Sequence, residues 1–318
     1  MRCLITGIAG FAGRHLADLL CARGDDVYGT IHSAESRARL NELAARWPSL
    51  AERLHVADVT DAQAMARVVT EVQPEGIFHL AGITFVPHTV ADPDAAMRVN
   101  VLGALHVFAA VERQALRCRI LAVASGEAYG DVRADELPVR ETCPFRPLSP
   151  YAASKAALDL LAYQWARGAG LDIVRVRPFN HTGPGQRPDF VCPDFARQLV
   201  AAARGARPPV LSVGDLDLVR DFSDVRDVVA AYAAVWERGT AGEAYNVCSG
   251  VGRSVRSVLD ALREIVGVEV RIEVAPERRR RVSVPTLIGS ADKLRAATGW
   301  TPRHAWHDTL VAVVNDWR

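Results

Sequence analysis

The sequence predicts an α/β chain: a doubly wound parallel sheet followed by a smaller C-terminal α/β lobe. Three observations predict it. Short apolar runs alternate with longer amphipathic ones through the first half, a glycine-rich turn joins the first such pair, and the rhythm breaks after Pro178. Parallel strands are covered on both faces, so they read as nearly continuous apolar runs, and each needs a crossover helix to reach the next.

The runs "RCLIT" (2–6), "DVYGTI" (26–31), "LHVAD" (54–58), "GIFHLA" (76–81), "ILAVAS" (120–125) and "DIVRVRP" (172–178) read as strands. Between them, residues 11–23, 61–72, 92–114 and 150–169 carry apolar side chains at helical spacing. In such a sheet, ligands sit beyond the carboxyl ends of the strands. After Pro178, residues 179–192 are rich in Pro, Gly and polar side chains. A helix (193–204), a short strand near 210–213, a helix (225–238), the strand "AYNVCS" and a helix (254–266) follow. The expected division is a dinucleotide-binding part over 1–178, with a return segment near 214–248, and a mainly substrate-covering lobe over 179–318.

Composition narrows the classes. The chain has 38 Lys and Arg against 37 Asp and Glu, a net charge of +1, so no global field recruits nucleic acid or an anionic membrane. The basic run "ERRRR" (277–281) lacks companion aromatics or a matching basic stripe. Six cysteines are scattered singly, which suits reduced thiols and leaves neither a disulfide framework nor a metal site to expect. The chain enters "RCLITG" at once, so neither a signal peptide nor a membrane span is expected, with no apolar run approaching the required length of about 18 residues. A cytoplasmic location is the matching expectation.

In "TGIAGFAG", Gly7, Gly10 and Gly13 lie between the first strand and first helix, with Phe11 and Ala12 among them. Glycine there permits unusual backbone angles and close approach of a pyrophosphate, whose charge the helix start meets. A glycine triplet alone is equally a tight turn; the preceding strand and following helix make it a dinucleotide site. The second strand ends in "YGTIHSAESRAR", without the acidic residue that would hold NAD ribose hydroxyls. Arg37 and Arg39, with His32 and Ser33, are candidates for a 2′-phosphate, so NADP(H) is favoured over NAD(H), although each singly also reads as a solvated helix start. Asp58 and Val59 at the end of the third strand, Leu80, Ala81, Gly82 and Thr84 at the end of the fourth, and Pro178 complete the cofactor candidates, although the first two groups also read as strand-ending turns.

In "SPYAASK", Ser149 can cap a helix and Pro150 suits its first position, which puts Tyr151 and Lys155 on one face a turn apart. The ammonium is expected to lower the phenol's pKa and make Tyr151 a usable proton donor or acceptor. Tyr-x-x-x-Lys alone is common by chance. Ser125, delivered to the same rim by "ASGEAYG", can hold the oxygen that Tyr151 protonates, and the amide of Asn100 is expected to anchor a water near Lys155.

Ser125, Tyr151 and Lys155 behind the glycine fingerprint resemble the extended short-chain dehydrogenase/reductase family, along essentially the whole chain. "HLAGITFVP" (79–87), "RPFNHTGPGQ" (177–186), "GDLDLVRDFSDVRDV" (214–228), "YNVCSG" (245–250) and "VPTLIGS" (284–290) narrow this. They are similar to its nucleotide-sugar branch with a Rossmann-like fold, and within it to the GDP-4-keto-6-deoxy-D-mannose reductases. The resemblance implies hydride delivery to C4 of a 4-keto-6-deoxyhexose, Tyr151 protonating the oxygen, Ser125 orienting it, and Lys155 holding the nicotinamide ribose. It places Asn180, Arg220 and Arg280 on the sugar diphosphate, with Phe85, Gln186, Val191, Arg197 and Ser283 as further substrate candidates. It also implies a homodimer through a four-helix bundle made by 92–114 and 150–169.

Glu127 bears on the reaction, because in related GDP-mannose 4,6-dehydratases a Glu here removes the C5 proton. The dehydratase pattern has Thr before it where this chain has Ser125, and an Arg pair where this chain has His32-Ser33. Both departures favour a reductase, and they also weaken the NADP reading. Ser283 stands where the GDP-sugar relatives have a guanine-reading Glu, so GDP is the first expectation with UDP, CDP and dTDP open. A 4,6-dehydratase, a 4-epimerase with tightly bound NAD(P), and a non-catalytic dinucleotide-binding regulator are the alternatives.

Overall fold

A computed structural model describes residues 1–278 and 284–318. Its first strands are β1 (Arg2–Thr6), β2 (Asp26–Ile31), β3 (Leu54–Val56), β4 (Gly76–His79), β5 (Arg119–Val123) and β6 (Ile173–Pro178). Then come β7 (Asn180–Thr182), β8 (Val210–Val213), β9 (Val219–Asp224), β10 (Ala244–Val247), β11 (Gly252–Ser254), β12 (Arg271–Val274) and β13 (Thr286–Leu287). Seven of them pair in parallel in the order β10-β6-β5-β4-β1-β2-β3. The order reverses between β1 and β4, which opens a crevice at the carboxyl ends of those two strands.

Alternation along the strands builds two cores. Cys3, Ile5, Phe78, Leu121 and Val123 join Leu16 and Leu20 of the helix Phe11–Ala22 and Val228, Tyr232 and Val235 of the helix Val225–Arg238. The intervening residues Leu4, Ile77, Ile120 and Ala122 face the other way. They meet Met65 and Val69 of Ala62–Val72, Val107 and Phe108 of Gly103–Arg113, and Leu158 and Ala162 of Pro150–Gly168. This doubly wound arrangement matches the expected α/β class. The seventh strand, β10, comes from beyond Pro178, because β6 still has an open edge that Ala244–Val247 closes.

Helix boundaries follow local chemistry. Asp61 starts Ala62–Val72 by accepting from Gln63 N (2.9 Å) and Ala64 N (3.0 Å). Ser254 does the same for Val255–Val266, which Gly267 ends with φ +72°. The expected helix 92–114 runs as Pro93–Arg113, but residues Arg98–Leu102 form a π-turn in which Gly103 N bonds Arg98 O. That helix also corrects the expectation that nothing nears a spanning length: it has 21 residues, and an 18-residue window in it reaches mean hydropathy 1.3. Its inner face, Ala104, Val107, Phe108 and Val111, is packed in the core.

The rest of the chain gathers a third core from Phe195, Leu199, Leu211, Phe222, Leu259, Leu262 and Leu310. Two small sheets accompany it, β11-β9-β13 with β7 also on β9, and β12-β8. One carboxylate holds the first of these in shape. Asp221, fully buried in β9, accepts from Ser249 N (2.8 Å), Ser249 Oγ (2.6 Å) and Gly250 N (2.9 Å). Burial pushes its pKa up, and these donors oppose the rise. Asp221→Ala removes the shared acceptor of the part-buried Ser249 and Gly250 N–H groups and of the Ser249 hydroxyl, each lost bond costing up to about 1–3 kcal/mol. A melting temperature lowered by roughly 5 °C or more is the expected outcome by calorimetry.

Candidate active site

The crevice between β1 and β4 is lined by close backbone contact. Gly7 has φ +69°, and a Cβ there would lie 2.8 Å from Ala81 Cα. A Cβ on Gly13 would lie 2.5 Å from Gly7 O, so only glycine lets the helix start sit this close to the turn. Gly10 N donates to Gly7 O at 2.9 Å. Thr6 Oγ1 accepts from Ala81 N (3.2 Å) and lies 2.8 Å from His79 Nδ1, which ties the β1 turn to the β4 turn. The helix Phe11–Ala22 has no side-chain cap, so its first N–H groups remain for an anion. This cradle fits the pyrophosphate of a dinucleotide.

The flanking candidates sit at the same rim. Ser33 Oγ accepts from Ser36 N, His32 Nδ1 lies 3.2 Å from Ser36 Oγ, and Arg37 is exposed, reaching Ala51 O at 3.4 Å. Arg39 is also exposed. Asp58 closes its own turn by accepting from Thr60 N and Thr60 Oγ1, both at 2.8 Å. Val59 is buried and its carbonyl lies 2.8 Å from His106 Nδ1. Leu80, Ala81 and Gly82 are half-buried, Thr84 is exposed and Pro178 is buried.

Ser149 Oγ caps Pro150–Gly168 by accepting from Ala152 N at 3.1 Å. Tyr151 and Lys155 therefore share a face, and both are buried. Lys155 Nζ donates to Val123 O at 2.8 Å, and burial lowers its pKa to about 8. Ser125 Oγ accepts from Glu127 N at 3.1 Å, and the Ser125 hydroxyl faces the phenol of Tyr151 as a hydrogen-bond partner. Burial raises the Tyr151 pKa to about 12; Ser125 pulls it down and the half-buried Glu127 carboxylate pushes it up. The expected lowering by Lys155 is thus corrected, because desolvation of the phenolate sets the direction and the ammonium is turned to Val123 O.

The buried Asn100 is fully engaged as a donor. Its Oδ1 accepts from Ile83 N (2.8 Å), and its Nδ2 donates to Ile83 O (3.1 Å) and Ser154 Oγ (2.9 Å). Its amide therefore ties the β4 turn to the catalytic helix, and only a lone pair on Oδ1 is left for the expected water.

Among the substrate candidates, Asn180 opens β7 opposite Phe222, and Arg220 is buried in β9 with Nη1 donating to Val219 O at 2.8 Å. Gln186 accepts from Thr182 Oγ1 (2.7 Å) and donates to His181 O (3.0 Å), closing its own loop. Val191 is the half-buried first residue of the helix Val191–Ala203, and Arg197 Nη2 donates to Asp194 at 3.0 Å. Phe85 meets Phe190 edge to face at 5.9 Å. Arg280 and Ser283 lie outside the described residues. The loop carrying Asn180 also grips the cofactor helix: Arg14 Nη2 donates to Gly185 O (2.6 Å), His15 lies 2.9 Å from Pro184 O, and Phe11 stacks on His181 at 5.9 Å. Sequence reasoning passed over Thr6, His79, Ser154, Arg14, His15 and Phe190. Ser154 stands beside Lys155 within "SPYAASK", Thr6 opens "TGIAGFAG" and His79 opens "HLAGITFVP", whereas Arg14, His15 and Phe190 carried no such signal. Among the described residues, no group of three or more His, Cys, Asp or Glu gathers as a metal site.

A pyrophosphate cradle at the switch point, with Ser, Tyr and Lys on the same rim, defines an extended short-chain dehydrogenase/reductase, an NAD(P)-dependent class with members acting on nucleotide sugars. The family model for GDP-mannose 4,6 dehydratase matches residues 4–312, and the chain belongs to that family. GDP-6-deoxy-D-mannose reductase of Pseudomonas aeruginosa is 35% identical over 316 residues, covering 99% of this chain and 97% of the relative. The structure of RMD from Pseudomonas aeruginosa complexed with NADPH superposes with a TM-score of 0.86 at 33% identity, covering 100% and 99% of the two chains. The Thermus thermophilus UDP-glucose 4-epimerase complex with NAD gives 0.87 at 31%, with the same coverage. The chain is thus similar to a reductase and an epimerase within one enzyme class.

Tyr151→Phe keeps the packing and removes the transferable proton, so turnover is expected to fall about 100-fold or more while the cofactor affinity measured by fluorescence titration stays. kcat/KM reports groups of the free enzyme. The ammonium is present below pH 8 and lost above it, so that parameter is expected to fall as pH rises through about 8. The phenol, at about 12, adds no second break below pH 11.

Proposed function

We propose that the protein reduces the C4 keto group of a nucleotide-linked 4-keto-6-deoxyhexose, with GDP-4-keto-6-deoxy-mannose as first substrate. The observation that carries this is the buried Tyr151 phenol, set beside Ser125 on the rim of the cofactor cradle as a proton donor. A protonated phenol suits a reaction that ends by giving a proton to an oxygen. Dehydration or epimerisation must begin by taking one. The full-length likeness to a GDP-6-deoxy-D-mannose reductase supports the same direction.

The Gly7–Gly13 cradle, the rim at His32 and Arg37, and Lys155 would hold NADPH, which would supply the hydride for C4. The chain supplies the rest. Ser125 donates a hydrogen bond to the C4 oxygen, Tyr151 gives it the phenolic proton, and Lys155 offsets the phenolate until a proton returns from solvent. NADP(H) is the proposed preference, since no acidic residue directly follows β2 and Arg37 stands exposed beyond its end. Asn180, Arg220 and Arg280 are the proposed diphosphate contacts, with Phe85, Gln186, Val191, Arg197 and Ser283 around the sugar and base. The proposed division assigns cofactor binding to 1–178 with the return strand β10, and substrate binding mainly to 179–318. A homodimer through 92–114 and 150–169 is proposed too; Met97, Leu102, Leu160 and Tyr163 leave apolar surface exposed on those helices.

A second reading, GDP-mannose 4,6-dehydration, is favoured by Glu127, whose charge reaches Tyr151. Absorbance separates the two. A reductase consumes one NADPH per molecule of GDP-4-keto-6-deoxy-mannose, with NADH slower. Turnover of GDP-mannose without net cofactor consumption would sink the reductase proposal. In a thermal-shift panel of GDP, UDP, CDP and dTDP with NADPH, GDP is expected to give the largest rise.

A further inference from the structure

Beneath the catalytic rim lies a buried polar bridge that none of the roles above uses. Asp159 stands four residues beyond Lys155 and eight beyond Tyr151, so it continues their face of the helix Pro150–Gly168, and it is fully buried. Arg177 of β6 clamps it bidentately, Nε to Oδ2 and Nη2 to Oδ1, both at 2.9 Å. Arg175 donates to the same Oδ1.

The same Arg177 guanidinium turns its remaining nitrogen away from the helix. Nη1 donates to Tyr129 Oη at 2.8 Å and to Glu141 O at 2.9 Å. Because Arg177 can only donate, Tyr129 must send its own proton elsewhere. It goes to Asn246 Oδ1 at 2.7 Å, and Asn246 Nδ2 is held on Val139 O at 2.9 Å. Tyr129 is the last residue of the short turn Gly126–Tyr129, whose head is Ser125 and whose second residue is Glu127. Its ring lies 5.6 Å from Phe145 and 6.3 Å from Phe179, and Arg177 stacks over Phe145 at 4.6 Å.

One planar group therefore holds both reacting segments: the helix of Tyr151 and Lys155 by its fork, and the turn of Ser125 and Glu127 by its free nitrogen. Burying such charges is a poor route to stability, since apolar packing of equal volume often does as well. Fixing geometry is what a rigid fork with directional partners does better than apolar side chains.

We infer that Arg177, through Asp159 and Tyr129, is a positioning residue that sets the Ser125 turn in register with Tyr151. The inference rests on the reading of Ser125 and Tyr151 as the groups acting on the C4 oxygen. Tyr129→Phe tests it, because the ring and its packing stay and only the hydrogen-bonded hydroxyl goes. Misplacement of catalytic groups by a fraction of an ångström slows the chemical step, so kcat is expected to fall about tenfold. KM for NADPH and for the sugar nucleotide is expected to stay within about twofold, the split that marks an interaction used in the transition state. With C4-deuterated NADPH the isotope effect on kcat rises as hydride transfer becomes slower. Rates are taken per NADPH-binding site, so unfolded protein does not count.

Arg177→Lys keeps the charge and loses the fork, and the same kcat loss is expected; should it fail to fold, Tyr129→Phe alone decides. A Tyr129→Phe enzyme with lowered Tm and kcat within twofold of wild type overturns the inference, leaving the bridge structural. Tyr151→Phe, run alongside, tests the underlying reading separately, and full activity there would refute that reading. If the wild-type enzyme converts GDP-mannose or UDP-glucose instead of the ketone, the reductase proposal falls. The same kcat comparison on that reaction then decides the bridge, a drop supporting it and no change overturning it.

Discussion

One buried amide organises the centre of this protein. Asn100 binds the β4 turn through both backbone groups of Ile83 and the catalytic helix through Ser154. The β4 turn is in turn held to the β1 glycine turn through Thr6. Cofactor cradle and catalytic helix are thus one rigid unit, joined by hydrogen bonds in a water-poor interior where leaving any of them unmade is costly. The π-turn of Arg98–Leu102 re-aims Asn100 into that junction, at the expense of regular helix geometry.

Burial sets the proton inventory of the site. The phenol of Tyr151 and the ammonium of Lys155 are both pressed toward neutrality, one upward to about 12 and the other downward to about 8. A tyrosine that keeps its proton and a lysine close to losing one form an acid with a conditional electrostatic partner. Glu127 adds negative charge on the same rim, which raises the phenol further.

The two ends of the ligand cleft are also mechanically joined. The loop Asn180–Gln186 is tied to the cofactor helix by Arg14, His15 and the Phe11–His181 stack. Asp221 holds the strand of Arg220 against the turns after β10 and β13. The residues proposed for the substrate thereby inherit their position from the sheet, although they belong to the later part of the chain.

Much of this was legible in the amino-acid order, because the relevant signals are local. Alternating apolar runs mark strands buried on both faces, Ser149-Pro150 marks a helix start, and the glycines before Phe11 mark a turn that admits a phosphate. From these follow the α/β class, six of the seven strands of the main sheet in sequence, and the shared face of Tyr151 and Lys155. The tertiary structure decided what depends on partners far along the chain. It set the returning strand β10 on the edge of β6, put a π-turn around Asn100, and turned Lys155 to Val123. It also let desolvation, a property of surroundings rather than of spacing, raise the phenol that proximity to lysine was expected to lower.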